Sequence, residues 1–154
     1  MNKYVWAGLV ACLSVSQALA GEVTVGEAWA RATAPGQDAA AVSMRITSQR
    51  DASIVAVSSP VANSAEIHSM VHEDGMMKMR ALDVLPLKAG REVALGDGGN
   101  HLMLIGLKKP LAAGDSVELT VTVQFADKRK EKVEVKAEVR PLTATHDHMH
   151  MHHH

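Results

Sequence analysis

Val117-Glu118-Leu119-Thr120-Val121-Thr122-Val123-Gln124 and Lys132-Val133-Glu134-Val135-Lys136-Ala137-Glu138-Val139 alternate apolar and polar side chains without a break. Successive strand side chains point to opposite faces, so each stretch reads as a strand with one face on a core and one in water. Working outward, shorter β-prone runs recur between turn signals. Ala40–Thr47 and Ser53–Ser58 are separated by polar Ser48-Gln49-Arg50-Asp51. Ser64–Glu73 and Met76–Val84 flank Asp74-Gly75, a strong two-residue hairpin signal. Glu92–Leu95 leads into Gly96-Asp97-Gly98-Gly99-Asn100, and His101–Leu107 follows, ending near Lys108-Lys109-Pro110. No helical periodicity of useful length and no internal repeat is present. Roughly seven to nine short strands at this spacing predict an all-β, antiparallel β-sandwich.

The ends are of different character. Lys3, the apolar run from Tyr4 to Val15 and the small-residue site Ala18-Leu19-Ala20 read as a secretory signal peptide over residues 1–20, cleaved after Ala20. The run is too short to span a bilayer comfortably. Leu9-Val10-Ala11-Cys12 loosely resembles a lipoprotein box, but a cut there leaves only a short apolar stretch before it, and export of a soluble protein is the expectation. Residues 21–141 then form one domain, and 142–154 a flexible tail, since the alternating pattern stops after Pro141.

Cleavage removes Cys12, the chain's one cysteine. The mature chain thus offers no disulfide, thiolate nucleophile or Cys-x-x-Cys pair. A blue-copper electron carrier, which needs a cysteine on the metal, is excluded on this ground, as is a disulfide reductase. Loss of Lys3 leaves 15 basic against 17 acidic side chains, and no basic stripe suits a polyanion. Only Trp29 and Phe125 remain as aromatics, too few to stack nucleic-acid bases. No Gly-x-Ser-x-Gly elbow is present, Gly96–Gly99 leads to a strand rather than a phosphate-binding helix, and Glu73-Asp74 belongs to a turn. The reading is of a protein that is not an enzyme.

Against this background His68, Met79, His101 and Met103 stand out, spaced His-x10-Met-x21-His-x-Met. Imidazole with thioether is a soft, uncharged donor set that suits Cu(I) and binds Zn²⁺, Mg²⁺ or Ca²⁺ poorly. Imidazole nitrogens compete with protons below about pH 6.5, whereas a thioether has no proton to lose. His101 and Met103 are two apart on an expected strand and share a face. A two-residue turn at Asp74-Gly75 pairs Glu73 with Met76, His72 with Met77 and Met70 with Met79. His68 then lies opposite Ala81 and diagonal to Met79, about 7–8 Å away at Cα on the same face. Met70, His72 and Met77 share that face as secondary donors or packing residues, Met76 is another donor on the same hairpin, and Met44 reads as core filler.

The four-residue spacing matches the motif of periplasmic copper chaperones of the PCuAC type. Ala28-Trp29-Ala30-Arg31, Ser59-Pro60 and Gly98-Gly99-Asn100-His101-Leu102-Met103-Leu104 running to Gly106-Leu107 resemble that family too, and the likeness covers nearly all of the mature chain. The resemblance implies a cupredoxin-like Greek-key sandwich in the periplasm that binds Cu(I) through His68, Met79, His101 and Met103. It further implies delivery toward the CuA site of cytochrome c oxidase subunit II, often alongside a Sco-type thiol protein. A copper buffer or acquisition protein for resistance or import would carry the same residues.

The tail is a second metal feature. His146, His148, Met149, His150, Met151, His152, His153 and His154 crowd its last nine positions. Interleaved Asp147, Met149 and Met151 argue against a plain polyhistidine tag, although His152-His153-His154 alone fits the remnant of one. Imidazole-rich tracts suit Cu(II), and methionines add affinity for Cu(I). A tail of this kind can collect copper and pass it to the folded site.

Overall fold

The computed structural model describes residues 21–96 and 99–142, all in strands and turns. Ten strands run in chain order: β1 Val23–Arg31, β2 Ala39–Ser48, β3 Ala52–Ser58, β4 Ala62–Glu73, β5 Met76–Leu82, β6 Leu85–Leu87, β7 Glu92–Leu95, β8 Asn100–Leu107, β9 Ser116–Phe125 and β10 Lys130–Arg140. The signal peptide expected over 1–20 and the tail residues 143–154 lie outside the described residues. Hydrogen bonding links the strands in the order β5-β4-β8-β2-β1-β10-β9-β3-β6, with β7 also paired to β2. The fold is the expected all-β sandwich.

Alternation predicts the core well. Val117, Leu119, Val121, Val123 and Phe125 of β9 and Val135, Ala137 and Val139 of β10 are buried, while their polar neighbours face out. Met44 lies at 2% exposure among Val42, Ile46, Leu95, Leu102 and Leu104, the core position expected of it. Every strand except β5 contributes to this cluster.

Two strands depart from the sequence-based reading. β1 was not expected, and it joins β10 in parallel, with Trp29 opposite Glu138 and Arg31 opposite Arg140, the one non-antiparallel pairing among the described residues. A bulge between Gly26 and Trp29, with Glu27 at φ +51°, shifts its register and scrambles its alternation. The run expected over Met76–Val84 ends at Leu82, and a further short strand, β6, follows it. Leu85–Leu87 crosses to pair with β3. Pro86 is tolerated there because β6 is an edge strand.

Candidate metal centre

The site is built on the outward face of β8, β4 and β5. Within β8, Leu102 and Leu104 point into the core, so the alternating His101 and Met103 point out. Ile67 anchors β4 in the same way and turns Glu66 and His68 outward. The β4–β5 hairpin has the register read from the sequence: Glu73 with Met76, His72 with Met77, Met70 with Met79 and His68 with Ala81. Asp74 and Gly75 at φ +53° and +74° form the primed turn whose twist matches paired strands.

Across the other edge of β4, His68 faces His101 and Glu66 faces Met103. His68 is thus the centre of the constellation. His101 is its direct cross-strand partner, where Cβ atoms lie about 5 Å apart. Met79 reaches it diagonally from β5, with Sδ 3.4 Å from His68 Nδ1. Met103 stands one row further from the hairpin tip, diagonal to His68 on the β8 side. Met79 and Met103 therefore flank His68 from opposite sides of β4. The donors are accessible, with Met79 52% exposed.

Glu66 is a neighbour of the candidate ligands that the sequence reading did not single out. Its Oε2 accepts a hydrogen bond from His68 Nε2 at 2.7 Å. In the neutral tautomer that donates Nε2–H to this carboxylate, Nδ1, the atom facing Met79, carries the lone pair. Orienting a ligand histidine through its second nitrogen is a common outer-shell device. The available signal was its position two residues before His68, which on a strand means the same face.

Among the described residues, no three His, Cys, Asp or Glu side chains gather where they could hold an ion. A zinc site needs such a set of nitrogen, oxygen or thiolate ligands. What converges instead is imidazole with thioether.

Of the secondary candidates, Met70, His72 and Met77 lie on this face and Met76 on the opposite one, 60% exposed. Further along the same outward face, Ala41 of β2 sits opposite Met103, and Trp29 of β1 opposite Ser43. Trp29, Ala41, Ser43 and Leu142 line a hollow of about 460 Å³, so the described chain ends on the face that bears the donors. The tail donors His146 to His154 are outside the described residues.

Solved structures show the same fold. The apo PCuAC domain from PmoF1 superposes with a TM-score of 0.62 at 24% identity, over 79% of this chain and 95% of that one. The copper-bound PCuAC domain from PmoF2 gives 0.60 at 21% identity, over 79% and 94%. CuI-DR1885 from Deinococcus radiodurans is 30% identical with a TM-score of 0.60, covering 81% of this chain and 83% of that one. These neighbours define a PCuAC-type β-sandwich. Among curated sequences, "Putative lipoprotein Lxx21020" of Leifsonia xyli subsp. xyli (strain CTCB07) is 36% identical over 106 residues, 68% of this chain and 63% of its own length. The family model described as "Putative lipoprotein LpqE-like" matches residues 23–139, and the chain belongs to this LpqE-like family.

Proposed function

We propose that this protein is an exported copper chaperone that carries Cu(I) on His68, Met79, His101 and Met103. The observation that carries the reading is the outward-facing cluster itself. One imidazole nitrogen meets a thioether sulfur at 3.4 Å, with a second imidazole directly across the sheet and a second thioether beside it. All four ligands are neutral, so the bound ion keeps its single charge, and nearby Glu66 offers that charge a counterpart. Copper is the cargo here. Exposure of Met79 lets a recipient's ligands reach the ion and displace the donors one at a time. Copper-bound relatives of the same fold support the choice of metal.

The recipient we propose is the CuA site of cytochrome c oxidase subunit II, directly or through a Sco-type protein. The tail, His146 to His154, would collect Cu(II) or Cu(I) and raise its concentration at the face. Twelve residues follow Leu142, and an extended chain of that length spans up to about 40 Å. From β2 to β4 the sheet measures only about 10 Å.

The test is an anaerobic Cu(I) competition titration on residues 21–141, beside the same protein with Met79→Ala and Met103→Ala. Tight one-to-one binding that collapses in the double variant supports the site; binding indifferent to both changes refutes it. Incubating the loaded protein with an apo CuA domain then separates the two roles, because a buffer or acquisition protein keeps its ion.

A further inference from the structure

The hairpin carries a second imidazole–thioether contact that the proposed site does not use. His72 Nδ1 lies 3.3 Å from Met77 Sδ, and the two residues are direct partners across β4 and β5. As a hydrogen bond this is poor, since a thioether is a weak acceptor and both side chains are in solvent. As a ligand pair for a soft ion it repeats the contact of His68 with Met79.

The surroundings are suited to a cation. Met70 shares the face, one row closer to His68, with Met79 opposite it. Rows two residues apart are about 7 Å from one another along a strand. The hairpin's cations are directed elsewhere: Lys78 lies 3.4 Å from Glu73 and Arg80 also pairs with it, on the opposite face. No ammonium or guanidinium of the hairpin therefore faces the His72–Met77 pair to repel a copper ion.

We propose that the hairpin tip is a second Cu(I) site, held by His72 and Met77 with Met70 as the adjoining thioether. The identity of the metal rests on the reading of the first site. With fewer donors and with His72 and Met77 exposed, the tip fills after the His68 cluster and releases its ion first. An ion there is one row of methionines, Met70 and Met79, from the inner site.

The test is an anaerobic Cu(I) titration of the full chain followed by NMR of methionine methyl groups and histidine rings, each assigned by single substitution. The expected result is that Met79 and Met103 shift with the first equivalent, and Met77 and His72 shift together on later additions. In His72→Ala, the later Met77 shift is lost while the Met79 shift persists. Met77 and His72 unmoved at saturation would overturn the proposal, as would their moving in step with Met79 within the first equivalent. If Met79 and Met103 stay still throughout, the first site fails instead, whatever the tip does.

Discussion

Replacing Glu66 with leucine isolates one interaction of the site. Glu66 Oε2 lies 2.7 Å from His68 Nε2, and the side chains are 44% and 19% exposed. A hydrogen bond to a charged group contributes about 1.5–3 kcal/mol, and a carboxylate nearly half in water sits at the low end. Losing an outer-shell partner of a ligand histidine typically weakens metal binding about 10–100-fold. The two figures meet near tenfold, since about 1.4 kcal/mol is a factor of ten. Glu66→Leu is therefore expected to weaken Cu(I) binding about tenfold. Glu66→Gln still presents a carbonyl oxygen to Nε2 and recovers most of the loss. The assay is anaerobic competition with a chromophoric Cu(I) chelator, with the Met79 methyl resonance reporting the site. An unchanged affinity in Glu66→Leu would refute the orienting role. A glutamine variant as weak as the leucine one would show that charge acts and orientation does not.

Met44→Ala opens a cavity beneath the site face and should cost about 2–5 kcal/mol in chemical denaturation without changing Cu(I) stoichiometry. Gly96 sits at φ +107°, and a Cβ there would fall 2.3 Å from Ser43 Oγ. Gly96→Ala should lower the melting temperature, and adding Ser43→Gly should restore part of the loss, leaving the backbone strain. Deleting residues 142–154 should abolish or slow Cu(II) uptake while the Cu(I) affinity of the folded domain stays the same, as read by parallel titrations of the two ions.

What the sequence disclosed follows from the range of the interactions involved. The hairpin register was legible because Asp74-Gly75 fixes it locally, and with it the meeting of His68 and Met79. The outward aim of His101 and Met103 was legible because Leu102 and Leu104 between them are core residues. β1 escaped because its bulge breaks the alternation by which a strand is read. β6 escaped because three residues containing a proline carry almost no strand signal. Glu66 carried no signal in the donor spacing, because a carboxylate is a poor partner for Cu(I), and only the Nε2 contact shows that it addresses the candidate ligand His68.

In β8 and β4 the residues that could grip an ion and those that hold the sandwich together alternate along the same strands, one set on each side of the sheet. A zinc finger, by contrast, folds only around its ion, so giving up the metal means coming apart. Here the apolar half of each strand packs on the side of the sheet away from the donors, and its core contacts involve none of them. On the proposed function, an ion gained or lost on the outer side would leave those core contacts in place, so a carrier of this build would be ready for another round as soon as it let go.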